Sequence, residues 1–190
     1  MLITRQDRMR LNGHPSFVLW LTGFSGAGKS TVSRELERRF FDRRIRSYVL
    51  DGDSLRSGLN RDLGFSRQDR GENVRRVAEV ARLFVEAGVV AIVALISPYR
   101  EDRERARSLF APGEFVEVYV KCPLEVCERR DPKGLYAKAR GRAIGEFTGI
   151  SSPYEEPLSP DVVVETNRMT PEEAADRIVA YLVEKGLVPR

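Results

Sequence analysis

Short apolar runs alternate along the chain with longer stretches in which apolar residues recur at helical spacing. Phe17 to Thr22, Ser47 to Leu50, Val89 to Leu95, Phe115 to Lys121 and Val162 to Thr166 have the length and bulk of strands. The first of these is apolar at consecutive rather than alternate positions, the mark of a strand covered on both faces. Between or after the strands, the periodicity predicts helices over Ser30 to Phe41, Asn73 to Ala87, Arg100 to Leu109, Leu124 to Arg130 and Pro171 to Glu184. In the first helix Val32, Leu36 and Phe40, with Phe41 as a further candidate, recur at helical spacing, and Arg34, Glu35, Glu37 and Arg38 take the other side. Strands alternating with helices imply right-handed crossovers, hence an α/β fold: a mostly parallel sheet flanked by helices on both faces. Ligands of such sheets bind at the carboxyl ends of the strands.

The first strand runs into the first helix through GFSGAGKST, residues 23 to 31. Gly23, Gly28, Lys29 and Ser30 fill the pattern G-x-x-x-x-G-K-[ST], and the strand before and helix after are the context it requires. Glycine lets the backbone curl so that several N–H groups face a phosphate, and the helix N-terminus adds about half a positive charge. The loop Gly23, Phe24, Ser25, Gly26, Ala27, Gly28, Lys29, Ser30 and Thr31 is therefore assigned to a nucleoside triphosphate, ATP in the resemblance given below, in a P-loop nucleoside triphosphate hydrolase or kinase fold. Lys29 is expected to reach the β- and γ-phosphates and the Ser30 hydroxyl to ligate Mg²⁺. An ordinary Gly-rich connection would have to meet all four positions and both flanks by chance.

The second strand ends in YVLDGD, so Asp51 and Asp53 emerge beside the loop with Gly52 between them. One can hold water on Mg²⁺ and the other accept a proton from an attacking hydroxyl. Capping of a short helix near Ser54 is the competing reading for either, and it does not preclude catalysis. The polar stretch that follows, residues 54 to 76, carries Arg56, Arg61, Arg67, Arg70, Arg75 and Arg76. Guanidinium forks suit phosphate or sulfate oxygens, although Asp69 or Glu72 would also pair with them in a surface network. Phe65 stands alone among polar neighbours and offers its ring to a planar base.

At 190 residues and 42% hydrophobic content the chain can bury one core, read as residues 16–190 after a polar, poorly tied-down lead-in over 1–15. The net charge of +4 does not demand nucleic acid, and RRFFDRRIR, residues 38 to 46, is read as a solvated helix end and turn. Cys122 and Cys127 are five apart without a nearby histidine, which fits neither zinc nor a redox C-x-x-C pair. His14 is the only histidine, so neither a His-based nucleophilic triad nor an H-E-x-x-H site can be assembled. No apolar run approaches the ~18 residues of a membrane span, and no signal-peptide core precedes the domain, so no membrane partner and a cytoplasmic location are expected.

DGDSLRSGLN (51–60), DLGFS (62–66), DRGENVRR (69–76), ISPYR (96–100), DPKGLYAKAR (131–140) and FTGISSPYE (147–155) follow the P-loop in order. This series resembles the adenylyl sulfate kinases (APS kinases). The resemblance implies transfer of the γ-phosphoryl of MgATP to the ribose 3′-hydroxyl of adenylyl sulfate, giving 3′-phosphoadenylyl sulfate and ADP in sulfate activation. It also implies that Arg56, Phe65, Arg70 and Asn73, together with Ile96 and Ser97, contact the sulfonucleotide, and that Phe147 closes over its adenine. A lid over about 130–150 would place Arg130 at the ATP and Lys133 and Lys138 over both nucleotides, with hinges at Gly134, Gly141, Gly145 and Gly149. Relatives are usually dimers, which implies a homodimer, and some are fused to other sulfate-activating enzymes, which raises association with an ATP sulfurylase.

Ser97 matches a position linked in the family to a phosphoserine intermediate. A binding role is preferred, since phosphoryl transfer needs positioning and charge neutralisation and a serine without a base partner gains little activation. Asp53 is assigned as the base and Asp51 as the Mg²⁺-water holder, with Lys29 beside them, although the two aspartates could exchange roles. The third strand ends in Ser97 rather than the carboxylate of a conventional Walker-B motif, so Asp51 and Asp53 must cover that task. Ala137 stands where relatives commonly carry a second lysine, and Arg142-Ala143 replaces an Ala-Gly-like step. The alternatives are a kinase for another small alcohol or nucleotide, or a non-catalytic nucleotide-sensing module. A GTPase lacks support, because Glu165-Thr166-Asn167-Arg168 does not fit N-K-x-D.

Overall fold

A computed structural model describes residues 2–141 and 146–189; Arg142, Ala143 and Gly145, named above in the lid, lie outside the described residues. In chain order the elements are α1 (Arg5–Asn12), β1 (Val18–Thr22), α2 (Lys29–Asp42), β2 (Ser47–Asp51), α3 (Gly52–Ser57), α4 (Arg67–Glu86) and β3 (Val90–Ala94). There follow α5 (Arg100–Arg107), β4 (Phe115–Lys121), α6 (Leu124–Arg130), α7 (Leu135–Arg140), β5 (Val162–Glu165) and α8 (Pro171–Glu184). The strands form one sheet in the order β2-β3-β1-β4-β5, and every pairing is parallel. The α/β expectation is met, and the five strands are those read from the apolar runs.

β1 is central and wholly buried, and the two-residue repeat of a strand sorts its side chains onto opposite faces. Leu19 and Leu21 enter a core with Leu36 and Phe40 of α2 and Ile178 and Leu182 of α8. Val18 and Trp20 enter a second core with Val74, Val77 and Ala81 of α4 and Ala106 of α5. Both cores lie along the length of the sheet, which leaves the carboxyl ends of its strands open to one side for ligands.

The lead-in differs from its expectation. Residues 5–12 form a helix with a capping box between Thr4 and Asp7 and a left-handed Gly13 at its end, φ 73°. Arg5 donates from Nε to Ser16 Oγ at 2.9 Å and pairs with Glu114 at 2.5 Å, and Asn12 Nδ2 donates to the Gly88 carbonyl at 2.8 Å. His14 is buried, and its Nε2 accepts from the Arg46 backbone N–H at 3.0 Å. None of α1 is buried, so this helix leaves no apolar periodicity; caps and polar contacts hold it. α4 likewise begins at Arg67 rather than Asn73, and its polar first turns reach the cavity described next.

Candidate active site

Two glycines shape the loop between β1 and α2. Gly23 has φ 154°, and a Cβ there would stand 2.4 Å from the Val120 carbonyl oxygen, inside van der Waals contact. Gly28 caps α2 at φ 95° with no side chain bonded to the helix end, so the first N–H groups of α2 face no cap. Lys29 is buried and folds back, donating from Nζ to the carbonyls of Gly23 at 2.9 Å and Phe24 at 2.7 Å. Burial lowers its pKa to about 8. The Ser30 hydroxyl donates to Asp51 Oδ2 at 2.6 Å. The other oxygen of that carboxylate accepts from the Asp53 N–H at 3.0 Å and caps α3. Asp51 is thus both the helix cap and the partner of the P-loop hydroxyl. Asp53, on the first turn of α3, is ion-paired with Lys133 from the lid.

One cavity of about 850 Å³ joins this loop to the polar stretch. Across it, the Arg56 guanidinium lies over the Phe65 ring, 4.4 Å from the centroid. Arg70 is buried and triply bonded: Nε to the Phe65 carbonyl at 2.7 Å, Nη1 to Thr148 Oγ1 at 2.7 Å and Nη2 to the Glu146 carbonyl at 2.8 Å. Asn73 Oδ1 accepts from Asn60 Nδ2 at 3.0 Å. Phe147 is buried at the same wall. Hence Arg56, Phe65, Arg70, Asn73, Ile96, Ser97, Lys133 and Phe147 share the cavity with Lys29, Ser30, Asp51, Asp53 and Arg130. Lys138 is exposed and lies outside its lining, as do Gly23, Phe24, Ala27 and the other four arginines of the stretch. Arg75 binds Glu72 at 2.7 Å and Arg76 binds it at 2.8 Å, so for these two the surface-network reading holds, whereas Arg67 binds the buried Asp102 at 2.8 Å.

Ser97 has φ 39° and is 3% exposed. Its hydroxyl accepts from Trp20 Nε1 at 3.1 Å and donates to Thr22 Oγ1 at 3.0 Å. Both its hydrogen-bonding capacities are thereby engaged inside the protein. For a hard cation, the Ser30 hydroxyl and the Asp51 carboxylate are oxygen donors of the right kind beside the P-loop. Among the described residues no cluster of three His, Cys, Asp or Glu is placed to hold a metal. Mg²⁺ is usually held by one or two protein ligands together with substrate phosphates, and the Ser30 hydroxyl and Asp51 carboxylate are donors of that kind.

A model of the adenylylsulphate kinase family matches residues 15–165. The chain belongs to that family. A probable adenylyl-sulfate kinase of Halalkalibacterium halodurans is 57% identical over 95% of this chain and 89% of its own. An APS kinase of Mycobacterium tuberculosis, solved in complex with AMPPNP and APS, superimposes with a TM-score of 0.85 at 47% identity, covering 89% of this chain and 98% of that one. A hexameric APS kinase from Thiobacillus denitrificans is 32% identical with a TM-score of 0.71, covering 92% of this chain and 30% of that one.

This adenylyl-sulfate kinase family member also uses residues that sequence reasoning passed over. Thr166, in the stretch set aside for failing the GTPase pattern, donates from Oγ1 to the Ala27 carbonyl at 2.7 Å. Arg130 Nη2 donates to the Thr166 carbonyl at 2.7 Å, so the end of β5 braces the P-loop and the lid together. Met169 and Pro171 line the cavity at that end. The position of Thr166, just past the carboxyl end of a strand, was the signal available for it. Tyr136 and Thr148 lie within the quoted segments DPKGLYAKAR and FTGISSPYE, but local pattern does not name their partners, which are remote in sequence.

Proposed function

We propose that the chain phosphorylates the 3′-hydroxyl of adenylyl sulfate with the γ-phosphoryl of ATP, releasing 3′-phosphoadenylyl sulfate and ADP. The observation that carries the reading is the short span of α3. Its cap Asp51 is hydrogen-bonded to the P-loop, and Arg56, three residues beyond Asp53, covers Phe65 in the same cavity. Residues three apart on a helix share a face, so Asp53 stands between a nucleotide end and an acceptor end.

The 3′-oxygen attacks the γ-phosphorus as the bond from that phosphorus to the β-γ bridging oxygen breaks, and the leaving electron pair stays on ADP. Asp53 accepts the 3′-hydroxyl proton after Lys133 turns from it toward phosphate. Lys29, free to leave two loop carbonyls, carries its charge to the β- and γ-phosphates. Ser30 and Asp51 are the residues that would hold Mg²⁺, which when bound supplies charge neutralisation to the phosphates. Arg56, Phe65, Arg70 and Phe147 orient the acceptor, and such orientation is worth about 7–11 kcal/mol of a barrier in well-aligned systems. Ser97 supports direct transfer: its hydroxyl is buried, engaged as donor and acceptor, and has no basic partner among the described residues. A homodimer and association with an ATP sulfurylase are carried over from the family resemblance; no described helix is long and apolar enough to cross a membrane.

The test is ADP release by the purified protein with MgATP and adenylyl sulfate, with AMP and shikimate as acceptor controls. Turnover confined to adenylyl sulfate is expected, and turnover with AMP but not with adenylyl sulfate overturns the reading. Asp53→Ala is expected to lose about 10²- to 10⁴-fold in turnover, the range of a positioned base.

A further inference from the structure

Tyr136 has no part in the chemistry described above, yet three segments meet on it. It sits at the start of α7, is 1% exposed, and its backbone N–H donates to Asp131 Oδ1 at 3.1 Å. Its hydroxyl donates to the carbonyl oxygen of Ser25, in the P-loop, at 2.9 Å. Its ring meets Phe147 edge-on, with centroids 4.9 Å apart and planes at 78°. Burial pushes the phenol above its ordinary pKa, so it stays protonated and remains a donor.

The peptide unit is planar, so a hydrogen bond that fixes the Ser25 carbonyl also fixes the N–H of Gly26, which points the opposite way. Gly26 lines the cavity on the nucleotide side, and Phe147 lines it on the acceptor side. One rigid side chain therefore touches the orientation of a P-loop amide at its polar end and the position of the acceptor wall at its apolar face. The edge-to-face contact is directional, so moving one ring displaces the other.

We propose that Tyr136 is a positioning residue that couples the two substrate sites: nucleotide in the loop and adenylyl sulfate beneath Phe147 each favour the Tyr136 arrangement that the other needs. This rests on the acceptor being adenylyl sulfate, as proposed above. Linkage requires the coupling to be reciprocal, so it is read from either ligand.

The experiment is calorimetric titration of adenylyl sulfate into the protein with and without Mg²⁺ and a non-hydrolysable ATP analogue. The ratio of the two affinities is the coupling. The unaltered protein is expected to bind adenylyl sulfate more tightly with the analogue present. Tyr136→Phe keeps the ring and removes the hydroxyl, and it is expected to shrink the ratio roughly 2- to 12-fold, the worth of one neutral hydrogen bond. Phe147→Leu, which keeps the hydroxyl and removes the facing ring, is expected to shrink it too, and the double variant no further than the larger single effect. If Tyr136→Phe does not fold, Phe147→Leu alone decides. A merely structural tyrosine would lower melting temperature or both affinities together and leave the ratio unchanged; that result, or a ratio of one in the unaltered protein, overturns the coupling. Absence of adenylyl sulfate binding in the unaltered protein instead overturns the functional reading on which the coupling rests.

Discussion

Asp51 gives one carboxylate oxygen to the Ser30 hydroxyl at 2.6 Å and the other to the Asp53 N–H at 3.0 Å. Asparagine caps a helix about as well as aspartate, but it carries no charge. Asp51→Asn is therefore expected to fold with nearly unchanged stability. It should lose about 10- to 100-fold in turnover, and its Mg²⁺ requirement should move to higher concentration, as for a residue that orients a metal's shell. Initial rates across a Mg²⁺ series at saturating ATP, beside a urea melt, separate the two roles.

Ser97→Ala leaves Trp20 Nε1 without its acceptor in a buried site. The expected loss is about 1–3 kcal/mol of unfolding free energy, the range for a buried donor deprived of its partner. Turnover is expected to fall no more than about tenfold, because positioning and charge, not a covalent serine, carry phosphoryl transfer. The unaltered protein incubated with γ-labelled ATP alone should acquire no label; a labelled protein whose label moves to adenylyl sulfate would defeat direct transfer.

Arg103 ties α5 to three other segments, with Nε to Glu117 Oε1 at 2.8 Å, Nη1 to the Ser97 carbonyl at 2.6 Å and Nη2 to the Glu155 carbonyl at 2.7 Å. Its side chain is 3% exposed and that of Glu117 11%. Arg103→Ala strands the Glu117 carboxylate, with Arg107 at 3.6 Å the one ion-pair partner left among the described residues. Breaking a buried pair from one side destabilises by about 3–5 kcal/mol, whereas replacing both partners with apolar residues is often neutral. Urea denaturation should show the large loss in Arg103→Ala and a partial recovery in Arg103→Met with Glu117→Leu.

Lys29 gives the free protein a pH signature. Its folded pKa lies near 8, below its ordinary value of 10.5, because burial disfavours the ammonium. Between those values the unfolded chain holds a proton that the folded chain lacks, so this group's destabilising effect, fully present below the folded pKa, is relieved as pH rises through the interval. Bound triphosphate favours the ammonium, so nucleotide binding should take up close to one proton at about pH 9 and almost none at about pH 6. Calorimetry of ATP-analogue binding in buffers of different ionisation enthalpy measures the uptake. Lys29→Met should abolish it.

The readable part of the site is the part contiguous in the chain. The P-loop occupies residues 23 to 31 between a strand and a helix, so spacing alone identified Lys29 and Ser30, and YVLDGD identified Asp51 and Asp53. The arginines of residues 54 to 76 were harder to sort. Local sequence cannot say that Asp102, 35 residues away on α5, takes Arg67, whereas Thr148, 78 residues away, fixes Arg70 in the cavity. Lys138 resembles a lid cation and is exposed on α7, while Lys133 pairs with Asp53.

By itself the sequence determined the α/β class, the five strands and the phosphate loop, because apolar periodicity and a continuous run of glycines, lysine and serine act over neighbouring residues. Only the tertiary structure decided the docking of α1, the brace from Thr166 to Ala27 and the meeting of Tyr136 with Ser25 and Phe147. α1 buries no side chain and is held by polar contacts. The two hydroxyl bonds join residues 139 and 111 apart. Such contacts leave no period in the chain, since it is the packing of the sheet and its helices that brings distant residues within hydrogen-bond reach.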